Sequence, residues 1–326
     1  MIHVVHKEGC HFTLDGILSD LASPPLKLWT YSSLLAKRIF PKGTYIFVDR
    51  ERMDPWELRV YAALHQHLSQ AGSAYQVLNN PGRVKNRYEL LRLLFKEKIN
   101  RFNVYLITEC EMPSRYPVFI RRIHDHKPPL SGLLHNHHEL VNALKELRDQ
   151  NEPDEGLMIT EYCAEPVMVN LFQKHSSFRV GDRVFYYHTM VDETWLVKFG
   201  MKKPYPEELC KDDLQNVISN AYVDQLRRAF DLANIEYGRA DFGIVNGEVQ
   251  IYEINTNPHM KPLSKMIFKN SIRTESIKLA RNKLLEALSE LDNIDVNAAS
   301  ASVFEHPLLK NEYSGLYQRK RVIQRQ

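Results

Sequence analysis

The sequence predicts an α/β (α+β) protein, and three patterns carry that prediction. First, residues 44–49 (TYIFVD) form a short apolar run of strand type, Asp54-Pro55 opens a helix reaching about residue 71, and residues 74–78 form a second strand. Strand, helix and strand in that order make a β-α-β unit, which favours a parallel sheet. Second, two β-rich runs flank Asn246-Gly247, a strong short-range hairpin signal. Third, residues 86–99, 138–147, 222–233 and 271–291 place apolar side chains at helical spacing. At 326 residues the chain is long enough for about two domains.

Composition narrows the classes. Hydrophobic content of 44% and charged content of 25% are ordinary for a soluble globular protein. A net charge of +3 is too small to argue for nucleic acid or a membrane. The 13 glycines are about 4% of the chain against a typical ~7%, which counts against a long glycine-rich phosphate loop. Cys10, Cys110, Cys163 and Cys210 are scattered with no Cys-x-x-Cys pair and read as free thiols in a reducing cytoplasm. No apolar run approaches the ~20 residues of a membrane span. The N-terminal residues lack a secretory apolar region.

Taken in order, residues 1–43 are weakly patterned, although 26–40 alternates apolar and basic groups at helical spacing before Pro41-Lys42-Gly43 breaks the chain. In the helix opened by Asp54-Pro55, Leu58, Tyr61, Ala62 and Leu68 are the predicted inner face. Asn79-Asn80-Pro81-Gly82 closes the β-α-β unit. The helix at 86–99 carries apolar residues at 90, 91, 94 and 95. Residues 116–120 read as a strand ending in Arg121, and 123–132 as a loop stiffened by Pro128 and Pro129. His124, His126, His135, His137 and His138 span that loop and the next helix without zinc-ligand spacing. After the helix at 138–147 and a polar turn at 150–156, residues 157–163 form a strand ending in polar groups. Residues 174–191 read as two strands around Gly181-Asp182, and 201–213 as a charged, proline-containing loop. The tail from 293 is polar and basic.

The chemistry gathers in the hairpin at 237–260. Arg239 and Asp241 lie on one strand, Glu253 and Asn255 on the other, with Asn257 just beyond. Hard oxygen ligands beside an arginine are what a magnesium–phosphate site needs: magnesium takes carboxylate, carbonyl and phosphate oxygens, and the guanidinium offers phosphate a planar fork. Glu253 and Asn255 share a face, roughly 7 Å apart along the strand. A two-residue Asn246-Gly247 turn would set Asp241 opposite Tyr252 and on the other face. A three-residue loop, 245–247, would set it opposite Ile251 and on the same face. The metal reading therefore predicts an odd-numbered loop.

Arg239-Ala-Asp241-Phe242 followed by Glu253-Ile-Asn255-Thr-Asn257-Pro258 closely resembles the last signature of the ATP-grasp superfamily, which includes D-alanine–D-alanine ligase, glutathione synthetase and glutamate ligases that extend protein tails. The resemblance covers roughly residues 79–258. It implies an ATP-grasp fold preceded by a pre-ATP-grasp α/β domain, with domains at 1–85, 86–165 (lid subdomain and adenine hinge) and 166–292 (metal-bearing subdomain), then the tail at 293–326. It implies ATP and Mg²⁺, with the metal on Asp241, Glu253 and Asn255 and Arg239 stabilising an acyl-phosphate step. Arg87 and Arg121 fall on the places of the family's two phosphate-binding lysines. Glu161, Tyr162 and Cys163 fall on the adenine hinge, with Glu165 in reach of the ribose. Lys127, Ser131 and the Gly132 amide can contact phosphate, and Lys198 faces either the phosphates or solvent. The middle hairpin departs from the family in having Ser176 where an arginine is usual, and residues 123–132 replace its glycine-rich loop. The activity implied is ligation of a carboxylate to an amine or thiol, small-molecule or peptide, with ADP released. The alternatives are a nucleotide-binding module and a small-molecule kinase of the same fold. A homodimer is the assembly the resemblance allows.

Overall fold

The computed structural model describes residues 1–20, 24–37, 39–109, 112–263, 266, 268–291 and 294. The first layer is formed by β1 (Ile2–His6), the short helix α1 (Asp15–Leu18), β2 (Leu26–Thr30), α2 (Tyr31–Leu35), β3 (Gly43–Phe47), α3 (Pro55–Ser69) and β4 (Tyr75–Leu78). Its four strands pair in parallel in the order β2-β1-β3-β4. The predicted β-α-β unit is β3-α3-β4. Asp54 caps α3 in a capping box with Glu57, and Pro55 occupies the first turn, where a missing N–H does no harm.

The first 43 residues are more ordered than their pattern suggested. β1 is buried along its whole length between two neighbours, and a strand buried on both faces shows no alternation. The stretch read as helical at 26–40 is instead the edge strand β2 followed by α2; the exposed Lys27 covers the buried Trp29 on one face, its ammonium 4.5 Å from the ring centre. Two further corrections concern helices. The inner face of α3 is Val60, Tyr61, Leu64 and Leu68, so Leu58 and Ala62 sit at its margin. The proline-containing stretch at 201–213 is a loop only to Pro206, where the helix α6 begins (below).

The second layer starts with α4 (Arg87–Lys96), capped by Asn86 and Glu89, then β5 (Val104–Leu106), β6 (Val118–Arg122), α5 (His137–Asp149) and β7 (Leu157–Glu161). Its strands form an antiparallel sheet, β5-β7-β6. The third comprises β8 (Pro166–Met168), β9 (Leu171–Val180), β10 (Arg183–Asp192), α6 (Glu207–Ser219), α7 (Val223–Ala233), β11 (Tyr237–Val245), β12 (Glu248–Asn255) and α8 (Ser271–Leu291). Here the sheet is antiparallel, β10-β9-β11-β12, with β8 added to β9.

One continuous core ties β1 and β3 to β9–β12 and α8, through Ile2, Ile46, Phe178, Phe230, Phe242 and Leu284 among others. Polar joints fix the angle between layers. Asn79, at the end of β4, donates to the carbonyls of Phe47 and Tyr237 and accepts from the amides of Glu236 and Tyr237. Asn257 donates to both oxygens of Asp49, each at 3.0 Å, and accepts from the Thr13 hydroxyl at 2.6 Å. The carboxyl ends of the parallel strands are thereby aimed at the β11–β12 hairpin, the end of such sheets where ligands bind.

Among the described residues, no helix is long and apolar enough to cross a membrane. Cys10, Cys163 and Cys210 are free thiols. Cys110, Arg38 and the tail from 295 lie outside the described residues.

Burial lowers the pKa of His3, His65 and His175 to about 4, and that of His188 well below its ordinary value. These imidazoles stay neutral in the fold but take up protons near pH 6.5 once unfolded. The unfolded chain thus binds more protons in this window, so folding free energy is complete above pH 6.5 and declines as pH falls towards 4. The expected result is a lower urea midpoint at pH 4.8 than at pH 7; equal midpoints would contradict this burial.

Candidate active site

The β11–β12 hairpin sets the site. Asn246 (φ 50°) and Gly247 (φ 76°) both adopt the left-handed conformation, which makes a two-residue turn of the primed type, with Val245 paired to Glu248. The odd-numbered loop predicted from register is therefore not used. The register still brings the acids together, because β12 carries an extra residue further along: Phe242 pairs with Ile251, but Asp241 pairs with Glu253 and Arg239 with Asn255. Tyr252 is the bulged residue, and such an insertion shifts every later side chain by one position. Its phenol donates to the Cys163 carbonyl at 2.8 Å, and the ring crosses Gly243 so closely that a Cβ there would lie 2.1 Å from its hydroxyl. Asn100 braces the bulge by donating to the Ile251 carbonyl and accepting from its amide, both at 2.8 Å.

Strand alternation then sorts the side chains. Ala240 and Phe242 face the core; the Phe242 ring lies 5.4 Å from His175, 6.0 Å from Tyr222 and 6.2 Å from Tyr186. Arg239, Asp241, Glu253 and Asn255 share the opposite face. Arg239 donates to Asp241 through Nε at 2.8 Å and Nη2 at 3.3 Å. From β9, the Lys174 ammonium reaches Asp241 at 3.0 Å. Glu253 pairs with the Arg87 guanidinium, which also donates to the carbonyls of Arg122, Ile123 and Asp125.

The electrostatics follow from these contacts. Burial pushes both carboxyls up, but the neighbouring cations outweigh it and hold both below the ordinary carboxylate range: Arg239 and Lys174 for Asp241, Arg87 and Arg121 for Glu253. Arg121 is pulled down to about 10 by burial and then by Arg87, and its Nε is buried without an acceptor. The Asn255 carbonyl oxygen is likewise buried without a donor. Among the described residues, no group of three or more His, Cys, Asp or Glu side chains is assembled to hold a metal ion. The oxygen set is two carboxylates and one unpaired amide oxygen. That suits magnesium, which keeps several positions for water and phosphate rather than filling a protein cage.

Arg121, Lys174, Asp241 and Glu253 line a cleft between two antiparallel sheets. Phe119, Arg121 and residues 160–164 supply one wall, and Lys174, Asp241, Tyr252 and Glu253 the other. No protein-family model matches the chain. Among solved structures, it is similar to the D-alanine–D-alanine ligase of Coxiella burnetii, at 10% identity over 89% of this chain and 94% of that one, with a TM-score of 0.50. It is also similar to the VanG D-Ala:D-Ser ligase of Enterococcus faecalis, at 11% identity over 89% and 98%, with a TM-score of 0.50. The chain has the ATP-grasp, ligase-like fold. At such identities the likeness is one of architecture alone.

Arg121, Lys127, Tyr162, Cys163, Lys198, Asp241 and Glu253 line the cleft together. Arg87 and Asn255 line a smaller adjoining recess with Glu253. Glu161 borders the cleft, but its carboxylate is spent inside the protein on the Asn103 amide, Tyr105, Ser114 and Arg115. Glu165 is absent from the lining and accepts from the Asn246 amide at the hairpin turn. Ser176 is bonded to His188, and Arg179 to the Gly181 carbonyl and Asp231, both away from the cleft.

Sequence reasoning missed three groups. Lys174 contacts Asp241 only because β9 pairs with β11, a long-range contact with no local signal. His126 and Glu51 form a latch across layers at 3.0 Å, and Lys198 donates to the His126 carbonyl at 3.0 Å. These two contacts hold the segment 123–132 down over the cleft. The cleft encloses about 140 Å³, below the roughly 300–1,000 Å³ of most small-molecule sites.

Proposed function

We propose that the protein is an ATP- and magnesium-dependent ligase that joins a carboxylate to an amine or thiol through an acyl phosphate. The observation that supports this reading is the grouping of Asp241, Glu253 and the acceptor-free Nε of Arg121 in a cleft between two sheets, with the unpaired Asn255 oxygen in the recess that adjoins it at Glu253. Asp241, Glu253 and Asn255 would hold magnesium, which when bound offsets charge on the transferred phosphoryl group. Arg121, Lys174 and Lys198 supply the cations for the phosphates. Arg87 is shared between Glu253 and the nucleotide. The main chain at 162–164 borders the place for the base. The substrate carboxylate attacks the γ-phosphorus, the bond to the β-phosphate oxygen breaks, and ADP leaves. The amine or thiol then adds to the acyl carbon, with Arg239 holding the developing oxyanion, and orthophosphate and a proton are released. Catalysis is positioning and electrostatics.

A closed cleft of about 140 Å³ has to widen before a triphosphate enters. Release of the His126–Glu51 and Lys198–His126 contacts would let the segment 123–132 lift. That segment has Pro128 and Pro129 and a single glycine, Gly132, which favours a second reading as a nucleotide-binding module that turns over little.

The deciding experiment incubates the protein with ATP, magnesium and pooled amino acids, and follows ADP and orthophosphate separately. Equal release of both is expected. ADP without orthophosphate would make the protein a kinase. No release, with ATP binding still visible by calorimetry, would leave only the binding module.

A further inference from the structure

On the far side of Arg239 from Asp241, adjoining the cleft at Lys198, lies a second cavity of about 520 Å³. Its described walls come from β10, the segment 198–205, the stretch after β12 and the first half of α8. Eight lysines and arginines line it and, among the described residues, no aspartate or glutamate does. Three of the eight have carboxylate partners elsewhere: Arg239 with Asp241, Arg281 with Asp20 and Lys203 with Glu193. Lys198 is given to a carbonyl. Lys202, Lys261, Lys269 and Arg273 make no ion pair among the described residues, although Arg273 feels the buried Asp213 carboxylate at longer range.

Arg273 is the most constrained of these. It is 8% exposed, its Nε is buried with no acceptor, and its guanidinium carbon lies 3.6 Å from the Tyr205 ring centre and 4.5 Å from that of Phe268. Two aromatic rings hold it against the cavity wall. A guanidinium N–H kept from water without an acceptor is costly, and like charges sharing one chamber add to that cost. An anionic ligand relieves both. Lys198 lines this chamber and the nucleotide cleft alike, and Arg239 lines the chamber while gripping Asp241 of the cleft. The two spaces therefore meet at the place where an acyl phosphate would form.

We propose that this chamber binds the acid substrate, and that the substrate carries at least two carboxylates: one presented at Arg239, the other held by Arg273 and the lysines at 202, 261 and 269. The choice of carboxylate rests on the ligase reading above; the excess of cations does not.

The test is calorimetry on the full chain at low salt, without nucleotide, using triglutamate, trialanine and inorganic pyrophosphate as probes. Triglutamate is expected to bind at least about tenfold more tightly than trialanine, and to lose at least about tenfold in a K202E/K261E/K269E variant, whose three sites are exposed and outside the core. Equal binding of the two peptides, or triglutamate affinity unmoved by the charge reversals, would overturn the proposal. Pyrophosphate binding more tightly than triglutamate, and lost in the same variant, would also overturn it by assigning the chamber to phosphates. Failure of the nucleotide reading shows separately, as no ATP binding by the wild-type protein.

Discussion

Glu253→Gln is expected to remove the magnesium-dependent part of ATP affinity and to lower ADP release by at least about 100-fold, since loss of a group that merely supports a metal ligand already costs ~10–100-fold. Glutamine keeps the length of the side chain and an oxygen that can accept from Arg87, but loses the charge. Arg87 stays bonded to the carbonyls of Arg122, Ile123 and Asp125, so the fold around it is retained. Titrating the variant with ATP in the presence and absence of magnesium, with circular dichroism as the folding control, reads the effect. Turnover within twofold of the wild type would remove Glu253 from the metal assignment.

Asn79→Ala should be the most damaging single change outside the site. Two carbonyls and two amides rely on this one buried side chain, and unpaired buried groups cost about 1–3 kcal/mol each. Asn79 also sits at φ 62°, a left-handed conformation that asparagine tolerates better than alanine. A loss of about 3–5 kcal/mol is expected once water refills part of the gap, together with a weaker nucleotide site, because β11 begins at this joint. Urea unfolding followed by fluorescence checks the first part. Calorimetric titration of the same variant with ATP checks the second, with weaker binding than the wild type expected. A shift below about 1 kcal/mol for the alanine variant would show that the layers are held by other contacts.

The amino-acid sequence by itself determined the β3-α3-β4 unit, the helices at α4, α5, α7 and α8, the Asn246-Gly247 turn, and the placing of Arg-x-Asp and Glu-x-Asn on the two strands of one hairpin. Each is written in a short window, as periodicity, a cap or a turn dipeptide. Only the tertiary structure decided how the hairpin's charged side chains face the cleft. The bulge at Tyr252 depends on Asn100 and on the Cys163 carbonyl, both far away in the chain, and it lets an even-numbered turn put Asp241 on the face that parity assigned to an odd one, opposite Glu253 rather than Ile251. Lys174, the His126–Glu51 latch and the turning of Glu161 and Glu165 into structural contacts are likewise long-range. So is the burial of β1, whose central place in a parallel sheet erases the alternation that would have marked it as a strand. A backbone's local preferences can be read from neighbours in sequence; which charged groups meet depends on strand order and layer packing, which no local window contains.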